Sequence, residues 1–246
     1  METHTPAASG TTLRCISSMA TRLLLDGLAR QFPAQVTLAS VGGVDAAQRV
    51  AAGEPFDVVV LAADALAQLA QAGHVRAGSE APIALSDVAA AVAQGAPAPS
   101  IASLAELIAA LRAARAIGYS TGPSGKALLA LWQQWGVLEE LQPRLVQAPP
   151  GVPVGELLAQ GTVTLGLQQR SELIHQAGVT LLGRMPPGAD ITTVFSAGIC
   201  AASQTPEQAA AFIAFLRSPA AAQPLAQQGM APPGAPALSP ERPAAP

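Results

Sequence analysis

Three short stretches of this chain gather residues suited to holding a negative charge. They are Ser17-Ser18-Met19, Ser40-Val41-Gly42-Gly43 and Ser120-Thr121-Gly122-Pro123-Ser124-Gly125-Lys126. Each puts small or hydroxyl-bearing residues where an apolar, strand-like run gives way to a helix-like one. At such junctions unpaired backbone N–H groups and the helix dipole favour an anion. Ser18 can either cap the helix or donate its hydroxyl to a ligand. Gly42 and Gly43 allow close approach to the backbone. The third stretch also holds Lys126, the sole lysine among 13 cationic residues. It is either a solvated charge on a first helical turn, which the dipole opposes, or a cation turned toward an anion.

Other chemistries lack their residues. The third stretch departs from the nucleotide-binding GxxxxGK[ST] pattern because Ala127 follows the lysine, and the chain has neither a dinucleotide glycine fingerprint nor a Ser-His-Asp set. No Cys, His and Asp residues stand at metal-ligand spacing, so neither a metal nor another cofactor is expected. His74 and His175 fall near expected helix ends and read as surface or cap residues. Cys15 and Cys200 sit in apolar, strand-like runs and read as small buried hydrophobes.

The elements that position the three stretches alternate between strand and helix patterns, as in parallel sheets covered by helices. Strands are expected over 13–17, 36–40 and 56–62, with helices over 18–31, 46–52 and 64–72, and this first block ends near Pro82. After a Pro/Ala/Ser-rich loop and a periodic helix through Leu104, Leu107, Ile108 and Leu111, a second block follows. It has strands over 116–120, 144–148 and 162–167 and helices over 125–135, 154–160 and 171–176. A strand within 191–202 is expected to return to the first block. The helix after it opens with Thr205-Pro206-Glu207-Gln208, a capping pattern. The division this predicts is a flexible N-terminus (1–12), one lobe from 13–83 plus 189–230, a second lobe from 84–188, and a disordered proline-rich tail (231–246).

Composition agrees with a folded α/β chain of 246 residues, half of them apolar. A net charge of -3 with scattered cations leaves no basic stripe for nucleic acid. The apolar runs near 23–25 and 58–61 are too short to cross a bilayer, and residues 1–12 do not read as a secretion signal. The expectation is a cytoplasmic protein that engages no membrane, or a periplasmic one if a leader has been removed.

In the order of its motifs the chain resembles the molybdate-type periplasmic substrate-binding proteins. The matching stretches are Ile16-Ser17-Ser18-Met19, the run from Ala47 to Val58 with its Gly53-Glu54-Pro55-Phe56-Asp57-Val58 element, Gly122-Pro123-Ser124-Gly125-Lys126-Ala127, Leu158-Ala159-Gln160-Gly161, Gly166-Leu167-Gln168-Gln169 and residues 212–229. The resemblance implies a type II periplasmic-binding-protein fold, an α/β two-lobed clamp whose lobes are mostly parallel sheets flanked by helices. The ligand would lie between the lobes at the strand ends.

It also implies the ligand positions. Ser18 matches the family's first serine, and Val152 a position that binds through its backbone. Gly43 and Gln169 stand where the family has a serine and a tyrosine. Those two changes point from a tetrahedral oxyanion to a carboxylate-like anion, for which glycine makes room and a Gln amide donates. The expected substrate-binding set is therefore Ser17, Ser18, Ser40, Gly42, Gly43, Ser124, Gly125, Lys126, Val152 and Gln169.

The superfamily includes an aconitate isomerase, so one implied function is an isomerase or tautomerase that shifts an allylic proton in an unsaturated di- or tricarboxylate. Lys126 and Ser18 are the expected catalytic groups: Lys126 as an electrostatic clamp or, if desolvated, a base, and a serine hydroxyl as a relay. The alternative is a binding protein for molybdate or another oxyanion, which alone would call for a permease partner.

Overall fold

The computed structural model describes residues 12–235. The first sheet starts with β1 (Leu13–Ser18), β2 (Val36–Val41) and β3 (Val58–Ala62), connected by α1 (Arg22–Ala29) and α2 (Gly43–Ala51) and followed by α3 (Ala63–Gln71). β3 is apolar and buried throughout, the mark of a strand covered on both faces. Its alternation divides two cores: Val58 and Val60 pack with Leu24, Leu28 and Phe212, whereas Val59 and Leu61 pack with Val50 and Leu66.

β4 (Ala81–Ala93) leaves this sheet and enters the second one. There α4 (Leu104–Ala113), β5 (Ile117–Tyr119), α5 (Pro123–Gln134), α6 (Leu138–Leu141), β6 (Leu145–Gln147), α7 (Val154–Ala159), β7 (Leu165–Gln169), α8 (Arg170–Leu173) and β8 (Val179–Arg184) follow. The chain returns through β9 (Thr192–Ile199), α9 (Pro206–Leu216) and α10 (Ala222–Gln227). Strand order is β2-β1-β3-β9-β4-β7-β5-β6, with β8 beside β4. The flanking strands pair in parallel, and every pairing of β4 or β9 is antiparallel. The two lobes thus share one long strand. They also touch where α8 packs on the 3-10 turn Met19–Thr21 and His175 Nε2 lies 3.1 Å from the Gln227 carbonyl.

Several expectations need correction. β4 is not among the expected strands, because its Ala-Pro-Ile-Ala-Leu-Ser-Asp-Val-Ala-Ala-Ala-Val-Ala sequence is rich in alanine, a poor strand former. β8 is not among them either. The helix expected over 18–31 begins as a 3-10 turn and becomes α1 only at Arg22. Ala231, assigned to the tail, is buried and bridges Leu85 through both backbone hydrogen bonds. Residues 1–11 and 236–246, with most of the expected flexible ends, lie outside the described residues.

The Gly53–Val58 element, part of the family resemblance, does architectural work. Gly53 ends α2 with φ +79°, a value that favours glycine. Arg49 and Glu54 pair at 2.7 Å, and the Arg14 and Arg49 guanidinium groups lie 5.3 and 5.2 Å from the Phe56 ring centroid. Asp57 Oδ2 accepts from the Arg14 amide at 2.8 Å, while Oδ1 accepts from Ser203 Oγ at 2.6 Å and Thr205 Oγ1 at 3.0 Å. The Thr205 hydroxyl therefore serves Asp57 instead of capping α9, as its sequence had suggested. Asp57→Ala strips three donors of their acceptor and is expected to lower stability by about 3 kcal/mol, read as a lower urea midpoint.

Both cysteines are free and buried. Burial, with the nearby Cys200 and Asp57 adding to it, pushes the Cys15 thiol far above its ordinary range. Burial and Asp57 push Cys200 up to about 12. Such thiols stay protonated and pack as apolar groups.

Candidate functional site

The strand ends of both sheets open on one cavity of about 490 Å³. Three longer helices begin on its wall: α2, α3 and α5, with N-caps Gly42, Ala62 and Gly122. None of these caps spends a side chain on its own helix, so first-turn amides are left for whatever fills the cavity. The lobes come close at its rim. A Cβ added to Gly42 would sit 3.8 Å from the Gly151 nitrogen, across the cleft.

Of the ten expected binding residues, seven lie on the wall: Ser18, Gly42, Gly43, Ser124, Lys126, Val152 and Gln169. Ser18 does not cap its turn, and its buried hydroxyl has no hydrogen-bond partner. Ser124 is buried with its hydroxyl 3.0 Å from Ser120 Oγ. Lys126 is exposed on the first turn of α5.

Ser17, Ser40 and Gly125 are corrections, since none belongs to the wall. Ser17 and Ser40 face each other across β1 and β2 with their hydroxyls 2.9 Å apart, so the pair joins two strands. Gly125 is needed beneath the turn, where a Cβ would fall 1.8 Å from the Ser120 carbonyl oxygen.

Two wall residues also act differently from expectation. Val152 is expected to bind ligand through its backbone, and its amide donates to the Pro149 carbonyl at 3.0 Å. Gln169 spends its amide nitrogen on Thr193 Oγ1 at 2.6 Å, leaving its buried Oε1 without a partner. Turning that amide over would preserve the bond, because a hydroxyl both donates and accepts, and would offer the NH₂ to an anion.

Sequence reasoning missed Glu172. It lies on the wall in the first turn of α8, and burial pushes its carboxyl up to about 7, opposed by a hydrogen bond with the Gln168 side chain. The only sequence signal was a glutamate three residues past Gln169, which reads as an ordinary acid favoured by a helix start. Thr193 and Phe195, also on the wall, were hidden because β9 reaches the cavity from the distant end of the chain.

A two-lobed α/β clamp with one cavity at the strand ends of both lobes defines the class of solute-binding proteins. The chain belongs to the bacterial extracellular solute-binding protein family, whose profile matches residues 13–231. It is 34% identical over 184 residues to an aconitate isomerase from a Pseudomonas species, covering 75% of this chain and 70% of that one. Its fold is similar to the periplasmic molybdate-binding protein of Azotobacter vinelandii, with a TM-score of 0.76 and 20% identity over 90% of this chain and 99% of that one. It is also similar to the sulfate-binding protein SubI of Mycobacterium tuberculosis H37Rv, with a TM-score of 0.74 and 20% identity over 91% and 88%. No helix among the described residues is long and apolar enough to cross a membrane.

Proposed function

We propose that the chain is an isomerase that shifts an allylic proton in an unsaturated di- or tricarboxylate held between its lobes. The observation that carries this reading is the 34% identity to an aconitate isomerase. The cavity supports it. Its volume of about 490 Å³ lies in the range of sites for small organic ligands, whereas a four-oxygen oxyanion has roughly the bulk of a few waters, ~100 Å³. The helix starts and Lys126 would hold the carboxylates. They would also stabilise the enolate-like charge that develops when a proton leaves carbon next to a carboxylate.

The reading places the protein with metabolic acids in the cytoplasm, whereas the family's name describes extracellular binding proteins. Fractionation of cells expressing the native gene checks that placement. A permease partner belongs to the oxyanion-binding alternative.

The direct test is incubation of the pure protein with cis-aconitate and related unsaturated acids while the alkene protons are followed by NMR. Isomerisation is expected. No turnover of any of them, together with thermal stabilisation by molybdate, would replace this reading with the binding one.

Gly43 tests ligand choice separately. A Cβ there meets only Ser18 Cβ at 3.7 Å and Leu61 Cδ2 at 4.0 Å, which is ordinary contact. Gly43→Ser should fold normally, add a hydroxyl beside Ser18 and reduce the thermal shift given by tricarboxylates. An unchanged shift would place the ligand away from α2.

A further inference from the structure

We infer that Glu172 is the proton carrier of this site, taking a proton from the methylene carbon of the bound acid and returning it to the far alkene carbon. The inference rests on the isomerase reading. As a carboxylate, Glu172 removes the proton: the C–H bond breaks, its electron pair enters the allyl system and is shared with the adjacent carboxylate, and an O–H bond forms on Glu172. That O–H bond then breaks as a C–H bond forms two carbons away, the double bond moves, and Glu172 is a carboxylate again. Nothing is oxidised or reduced, and no other reactant is required.

Elimination on the cavity wall points to this residue. Its ionisable side chains are Lys126, Asp64 and Glu172. Lys126 and Asp64 are exposed, one on the first turn of α5 and the other on the first turn of α3. A solvated carboxylate is a weak base toward carbon, and a solvated ammonium has no lone pair to accept a proton. Glu172 is partly buried and lines the cavity beside Gln168 and Gln169.

Its neighbours hold it in place. Gln168 Oε1 accepts from the Val154 amide at 2.7 Å, which fixes the orientation of that side chain and directs its NH₂ to the Glu172 carboxyl. One amide donor does not exhaust the lone pairs of a carboxylate. Ser18, with its unpartnered hydroxyl on the opposite lobe, is placed to hold the substrate.

The surroundings also set the pH response. Besides Lys126 and Asp64, the charged groups on α8 and the elements packed against it are Arg170 of α8, Glu156 of α7, Asp87 of β4 and Arg184 of β8. Asp87 and Arg184 pair with each other at 3.7 Å. Burial raises the Glu172 carboxyl to about 7 and the Gln168 bond opposes it. The ionised form is the base, so kcat/KM should rise through about pH 7 and then level off.

The test uses the full chain, cis-aconitate and NMR of the alkene protons. Glu172→Gln keeps the shape and the Gln168 contact but cannot carry a proton. Turnover should fall at least roughly a hundredfold, while cis-aconitate still raises the melting temperature. Glu172→Asp should recover part of the rate and keep a rising pH limb. Folded Glu172→Gln that turns over within a few-fold of wild type would overturn the inference and leave the isomerase reading intact. Wild type that turns over none of the unsaturated acids would overturn both.

Discussion

Lys126→Ala is expected to weaken binding of cis-aconitate roughly tenfold to a hundredfold, the range of a lost charge-assisted hydrogen bond. The residue stands where the dipole of α5 disfavours a cation, so an anion in the cavity gives its charge a partner there. It is the cationic side chain on the wall, opposite in sign to Asp64 and to ionised Glu172. Because Lys126 is exposed, salt should screen its contribution. Titration calorimetry at low and high salt should therefore show affinity falling steeply in wild type and less steeply in Lys126→Ala. Equal affinity and equal salt dependence would mean that Lys126 points away from the ligand.

Gly125→Ala, one residue earlier, should act on folding. Its Cβ would be 1.8 Å from the Ser120 carbonyl oxygen and 2.8 Å from that carbonyl carbon, both backbone atoms that no rotamer change can move. The turn must open or α5 must shift, which costs about 3 kcal/mol or more. The internal control is Gly122→Ala. There φ is -77° and an added Cβ meets only Ser120 Oγ at 3.9 Å, so the urea midpoint should barely move. Two glycines three residues apart thus separate into one required by packing and one exposed to the cavity. Equal midpoints for the two variants would refute this account.

The turns that line the cavity were legible because each depends on local information. A hydroxyl or glycine at a strand's end, followed by helical periodicity, places unpaired amides at a point whatever the rest of the chain does. Ser18, Gly42, Gly43, Ser124 and Lys126 all reach the wall by that logic. The same cue misled at Ser17, whose side chain alternates to the opposite side of β1 from its neighbour and meets Ser40. It misled at Gly125 because glycine can permit close packing as readily as ligand approach.

What remained hidden depends on long-range pairing. β4 is a strand because β9, β7 and β8 pair with it, and its alanines give no local signal of that. Glu172 looks like any acid at a helix start. Only its place on the cavity wall beside Gln168, itself held by Val154, distinguishes it. The partner of Gln169 lies on β9, 24 residues away, so spacing could not reveal which of its amide atoms was engaged.

The position of β9 has a consequence for how the chain is made. It sits between β3 and β4, yet it is synthesised after the whole second lobe. While a ribosome is still completing residues 94–191, the inner edges of β3 and β4 have no strand between them. The first lobe can close only when the last strand slots into its middle. This is a long-range step of the kind that slows folding and leaves strand edges open to other chains. For this clamp, the nascent chain is most vulnerable just before its last quarter emerges.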